Sequence, residues 1–168
     1  MRKRIGVSAC LLGEKVRWDG RDKLDDFVAG LVAEFELIPV CPEVELGLGV
    51  PRDPIQIEHQ GPGGARLRNV KTGEDLTGKM EALARRRVQE LVELGLSGYV
   101  LKSRSPSCGR VNVPVHEDDG SVEETGVGVF AREVLARFGD VPVEDEVSLA
   151  DPAVRERFLE RVRGPSRR

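Results

Sequence analysis

Two short apolar runs, Ile5 to Ala9 and Leu37 to Val40, enclose a stretch whose Leu24, Phe27, Val28, Leu31, Val32 and Phe35 recur at i, i+3, i+4, i+7, i+8 and i+11. That recurrence is one face of an amphipathic helix. A strand, a helix and a strand over so few residues make a βαβ unit, whose strands pair in parallel through a right-handed crossover. A second helical face follows at Leu76, Met80, Leu83, Ala84, Val88, Leu91 and Leu94, stopped by Gly95 and leading to a third apolar run at Gly98 to Lys102. Thr72-Gly73-Glu74-Asp75 ahead of it reads as a capping box.

The C-terminal part continues the alternation. Val111 to His116 and Ser121 to Glu123 flank Asp118-Asp119-Gly120, a hairpin signal. Thr125 precedes a helix with Phe130, Ala131, Val134, Leu135 and Phe138 inward, and Val141 to Val143 reads as a last strand. Asp151-Pro152 then starts a helix carrying Val154, Phe158 and Val162, proline being suited to a first helical turn. Residues 42–75 hold four prolines and six glycines among polar residues and read as a long functional loop with Gly61-Pro62-Gly63-Gly64 at its tip. The expected fold is α/β: a single domain over residues 1–168, built as a three-layer sandwich around a mostly parallel sheet of Rossmann or flavodoxin type.

Composition narrows the function classes. A formal net charge of −3 offers no general attraction to nucleic acid or anionic membranes, and the basic clusters at Met1–Arg4, Arg85–Arg87 and Arg161–Arg168 read as solvated faces or chain ends. No apolar stretch approaches the ~20 residues of a membrane span, and the basic start lacks the apolar core of a signal peptide. The expectation is a cytoplasmic protein with reduced thiols.

There are three cysteines, and each lies where an apolar run gives way to a turn: Cys10 after Ile5–Ala9, Cys41 after Leu37–Val40, and Cys108 in the segment that follows Tyr99–Lys102. A free cysteine often merely packs in the core. Three on the carboxyl side of predicted parallel strands instead point to one shared site, because open α/β sheets bind ligands along that edge. Zinc and iron–sulfur clusters usually take four protein ligands, so three thiolates would leave a position open. No CxxC pair is present, which excludes the common zinc-ribbon and ferredoxin spacings.

Other chemistry-bearing residues cluster around the same positions. Glu43 and Glu45 follow Cys41 closely, where a carboxylate can accept a proton or activate water. Arg17, Trp18, Asp19 and Gly20 form a loop after the first strand, fit to close over a small planar ligand, with Arg17 offering a fork for an anion or carbonyl. Ser103, Ser105 and Ser107 line the approach to Cys108, and Gly109 lets backbone come near a bulky ligand. His59 and His116, the only histidines, leave a Cys–His nucleophilic pair as an alternative.

Three segments together resemble the TudS-type thiouracil desulfurases: Ser8-Ala9-Cys10-Leu11-Leu12-Gly13 with Arg17-Trp18-Asp19-Gly20, Cys41-Pro42-Glu43 through Pro51-Arg52, and Leu101-Lys102-Ser103-Arg104-Ser105-Pro106-Ser107-Cys108-Gly109. The resemblance runs from about residue 5 to about residue 140. It implies a [4Fe-4S] cluster held by Cys10, Cys41 and Cys108, and a non-redox desulfuration of a thiouracil-type base to the oxo base plus sulfide. In that frame Glu43 is the expected activator of water, Ser105 and then Ser103 orient substrate or relay a proton, and Arg17, Asp19 and Arg52 contact the substrate. The implied partner is a small thiolated base or nucleotide. Glu45-Leu46-Gly47-Leu48 resembles the family branch often fused to a second domain, which includes enzymes acting on 4-thiouridine in tRNA. A non-catalytic iron–sulfur or zinc module that handles sulfur is the alternative from another class.

Overall fold

The computed structural model describes residues 1–165; the last residues of the basic C-terminal cluster, 166–168, lie outside the described residues. Arg4–Ser8 (β1), Glu36–Val40 (β2), Gly98–Leu101 (β5) and Val143–Asp145 (β8) form one sheet in the order β2-β1-β5-β8, and all its pairings are parallel. Alternation along the central strands sends side chains to two cores. Tyr99 and Leu101 enter one together with Thr77–Glu93 (α3) and Val129–Arg137 (α4). Ile5, Val7 and Val100 enter the other with Asp26–Gly30 (α1) and Pro152–Arg163 (α5). Helices thus cover both faces of a parallel sheet. Met80, Val88 and Leu91 of α3 are wholly buried, and each such side chain stabilises the fold by about 1.5–3 kcal/mol. Gly6 is needed for this packing, since a Cβ there would lie 2.5 Å from the Tyr99 ring.

The long loop expected over 42–75 is instead largely structured, and it supplies half of a second sheet. Pro42–Glu45 is a helical turn (α2), and Ile55–His59 (β3) pairs antiparallel with Ala65–Asn69 (β4). The order of the second sheet is β4-β3-β6-β7, with Val113–Glu117 (β6) parallel to β3 and Val122–Gly126 (β7) antiparallel to β6. Of β3 and β4 only Ile57 and Leu67 are fully buried, between Gln56, Glu58, Arg66 and Arg68. Two apolar positions embedded in charge give too weak an alternation to mark strands. Both lie in the same hydrophobic cluster as α3 and α4, so the second sheet shares the first sheet's core.

Smaller differences have local causes. The helix read over Leu24–Phe35 is a five-residue α1, capped by the Asp25 carboxylate on the Val28 N–H and followed by a 3-10 turn at Leu31–Ala33. Leu24 and Val32 are exposed, while Val28, Leu31 and Phe35 are buried. α3 starts at Thr77 and not directly after a capping box; the Asp75 carboxylate accepts from the Thr77 N–H, and the Thr77 hydroxyl accepts from the Leu67 N–H of β4. Thr125 belongs to β7, whose outward-facing glutamates carry the strand to Gly126. The final strand sits two residues later than read, and α5 begins at Pro152 with Asp151 as its cap. No helix among the described residues is long and apolar enough to cross a membrane.

Candidate active site

The three cysteines leave three adjacent strands on one edge. Cys10 lies in the 3-10 turn Ala9–Leu12 directly after β1, Cys41 caps α2 directly after β2, and Cys108 lies in the loop between β5 and β6. All three line one cavity of about 410 Å³, with Ser8, Arg17, Trp18, Lys23, Glu43, Arg52, Lys102, Ser103, Arg104 and Ser105 among its other walls.

Each cysteine segment is held by hydrogen bonds that the sequence makes locally. The Cys10 carbonyl accepts from the N–H groups of Gly13 and Lys23, folding residues 13–25 back over the turn. The Cys108 loop docks on the start of α4: Val129 and Ala131 donate to the carbonyls of Pro106 and Ser107, so N–H groups left free at a helix start are satisfied by the loop. Gly128 makes this approach possible, as a Cβ there would meet the Ser107 carbonyl oxygen at 2.4 Å. The Ser105 hydroxyl accepts from the N–H groups of both Ser107 and Cys108.

Glu43 is the best-anchored polar group of the cavity. Arg52 donates from Nε to Glu43 Oε1 at 3.1 Å, and the buried Ser107 hydroxyl donates to Oε2 at 3.1 Å. Arg52 Nη1 also donates to the carbonyls of Val16 and Gly49. Its guanidinium is thus engaged with protein, which makes it a fixture for Glu43 more than the free substrate fork expected from the sequence. Asp19 is not among the cavity-lining residues. Its carboxylate accepts from the Arg21 N–H and pairs with Arg17 at 3.4 Å, shaping the loop. Glu45 points away, paired with Arg87 of α3 at 2.8 Å. Ser103 lines the cavity, but its hydroxyl accepts from Lys102 Nζ and its N–H donates to Glu146.

Sequence reading passed over Ser8, Lys102 and Glu146, and gave Ser107 no distinct role. Ser8 accepts from the Lys102 N–H and lies beside the Cys108 thiol, tying β1 to the β5 loop. Ser8 and Lys102 sit at the ends of strands that also carry cysteines, and that position was the available signal. Glu146 is remote in sequence and meets Ser103 only through the β5–β8 pairing.

Burial dominates the electrostatics of the thiols. It pushes Cys10 up to about 11, against a smaller opposing pull from Lys102. It also raises Cys41 and, more strongly, Cys108; negative charge on neighbouring cysteines adds to the rise at Cys10 and Cys108, and the Glu43 carboxylate adds to it at Cys41. Such thiols are poor free nucleophiles, since reactive cysteines have lowered values. Neither histidine lines the cavity, and His59 is paired with Glu117 on the second sheet. A Cys–His pair is therefore not assembled in this cavity. Thiols of this kind ionise when a metal centre supplies compensating positive charge.

The donor set is all sulfur. Among the described residues no three His, Cys, Asp or Glu side chains converge to hold a single metal ion. Three thiols sharing one wider cavity suit a multi-iron cluster, in which different irons take different thiolates, better than one zinc ion. Five basic side chains, Arg17, Lys23, Arg52, Lys102 and Arg104, and a single carboxylate line that cavity, although the whole chain is net acidic.

Comparison with known proteins agrees with this geometry. A structure described as a [4Fe-4S]-dependent thiouracil desulfidase, TudS, superposes with a TM-score of 0.72 at 31% identity, covering 93% of this chain and 99% of that one. The Bacillus subtilis (strain 168) protein YbbK, itself uncharacterized, is 33% identical over 110 residues, 62% of this chain and 72% of YbbK. The family model for 2-thiouracil desulfurase matches residues 5–146, and the chain belongs to that family.

Proposed function

We propose that the protein removes sulfur hydrolytically from a small thiolated pyrimidine, free base or nucleotide, with Cys10, Cys41 and Cys108 holding a [4Fe-4S] cluster. The observation that carries this reading is the convergence of three thiols from adjacent parallel strands on one cavity that also contains an anchored carboxylate. When bound by three thiolates, such a cluster supplies a Lewis-acidic iron with an open position, soft enough for a thiocarbonyl sulfur.

The chain's own residues do the remaining work. In the overall reaction water oxygen replaces sulfur at the ring carbon and the sulfur leaves as hydrogen sulfide, without net oxidation or reduction. Glu43 accepts a proton from the attacking water; Arg52 and Ser107 hold its two oxygens in place while further lone pairs remain. Ser105 has both acceptor positions filled by backbone N–H groups, so its own O–H is left to donate into the cavity. Lys102 braces Ser103 through its carbonyl and hydroxyl. Arg17, Lys23 and Arg104 give the cavity the charge to receive an anionic substrate, either a nucleotide phosphate or an ionised thiopyrimidine.

The test is anaerobic purification with iron and sulfide analysis, followed by sulfide release from 2-thiouracil, 4-thiouracil, 4-thiouridine monophosphate and thiolated tRNA. The expected result is a brown protein with cluster iron that acts on at least one small thiopyrimidine. Activity on tRNA alone overturns the substrate size. An intact cluster with no sulfide from any of the four favours the non-catalytic binding module.

A further inference from the structure

We propose that Trp18 is the surface on which the flat ring of the substrate stacks, which rests on the thiopyrimidine reading above and assigns its ring recognition to one residue. Trp18 is the only tryptophan of the chain, and it lines the cavity with the three cysteines. The residue is 46% exposed, a large apolar area to leave open at the mouth of a concavity. Its backbone is fixed: the Trp18 carbonyl accepts from the Arg52 N–H at 2.9 Å, and Arg17 bonds to Arg21 and Gly20 to Arg17 on either side. Rigid backbone thus presents an aromatic ring that the protein itself leaves unstacked. Among the described residues the aromatic contact is Tyr99 with Phe138, and the cation–π contact is Arg155 over Phe27; neither involves Trp18.

An aromatic face suits a pyrimidine because every base has a π-face, and stacking tolerates changes in exocyclic atoms. Uracil should therefore meet Trp18 much as 2-thiouracil does, with discrimination for sulfur made elsewhere in the cavity. The adjacent Arg52 N–H contact links this ring to the residue that anchors Glu43, so ring position and carboxylate position share one support.

Because the tryptophan is unique, the intrinsic emission of the cluster-loaded protein reports on it alone. Titration with 2-thiouracil, and separately with uracil, should quench that emission beyond the collisional quenching of free N-acetyltryptophanamide. Trp18→Ala should raise KM about tenfold or more with kcat within about threefold, whereas Trp18→Phe should keep KM within about threefold. Iron content should be equal in all three proteins, a result that a merely structural role would not give. An unchanged KM in Trp18→Ala overturns the proposal. So does a working desulfurase whose emission responds no more than the free control, and the function then stands. Emission that responds to both bases, with no sulfide released from any thiopyrimidine, supports ring recognition and overturns the desulfuration reading instead.

Discussion

Arg52 Nε lies 3.1 Å from Glu43 Oε1, with 5% of the arginine side chain and 13% of the glutamate side chain exposed. Both charges are largely withdrawn from water, so the pair is held by its geometry and by the two carbonyls that share Arg52. Removing one partner of such a pair leaves an uncompensated charge. Arg52→Met should cost about 3–5 kcal/mol in denaturant unfolding. Arg52→Lys keeps the charge but cannot reproduce the fork. It should lower kcat for sulfide release while leaving KM nearly unchanged. A raised KM at constant kcat would show that Arg52 acts on the substrate directly.

Neutralising the carboxylate separates it from its neighbour. Glu43→Gln should lower turnover by about 10²–10⁴ with cluster iron retained, the size of effect expected for a lost proton acceptor. Glu45→Gln should stay near the parent rate, because Glu45 faces Arg87. Equal losses in the two variants count against the assignment of Glu43.

Each thiol is expected to hold one iron of the cluster. Cys10→Ser, Cys41→Ser and Cys108→Ser, purified without oxygen, should each lose most iron and the visible absorbance. Full iron in any of them removes that cysteine from the ligand set.

Gly128 tests the docking of the Cys108 loop on α4. A Cβ there would approach the Ser107 carbonyl carbon at 2.5 Å and the Cys108 nitrogen at 2.9 Å, and backbone cannot step aside as a flexible side chain can. Gly128→Ala should destabilise the fold by about 1–3 kcal/mol and lower iron content. The control is Gly139→Ala, where a Cβ meets nothing within 4 Å. If Gly128→Ala matches the control in stability and iron, the loop is not held as described.

Asp75 links acid stability to the start of α3. Burial raises its pKa, but hydrogen bonds from Thr77 and Arg66 outweigh that and hold it at about 2. The folded value thus lies below the ~3.9 of an unfolded chain. Its contribution is therefore complete above about pH 4 and lost as pH falls toward the folded value. Asp75→Asn should be less stable than the parent at neutral pH and converge with it near pH 2. A stability gap constant over that range contradicts the linkage.

Several features of the protein follow from the sequence because their causes are local. Short apolar runs around helical periodicity specify parallel strands, and a cysteine at the end of each run falls on one sheet edge whatever the remaining packing. The hairpin at Asp118-Asp119-Gly120 and the Asp151-Pro152 helix start are turn and cap chemistry of a few adjacent residues. The second sheet lay beyond that reach. In β3 and β4 a single side chain on each strand, Ile57 and Leu67, is buried, and it joins a core cluster completed by residues as far along the chain as α4.

The same division runs through the candidate site. Cys10, Cys41 and Cys108 stand out by residue type and spacing, and Glu43 and Glu45 as the carboxylates that follow Cys41. That Arg52 anchors Glu43 was decided by tertiary contacts, because a side chain's role depends on which groups have already taken its donors and acceptors. Ser107, which sequence reading set only along the approach to Cys108, becomes a buried donor to Glu43 across 64 residues, and Glu146 meets Ser103 across 43. Hydrogen bonds over such separations exist only once the strands are in register and the cavity has closed around them.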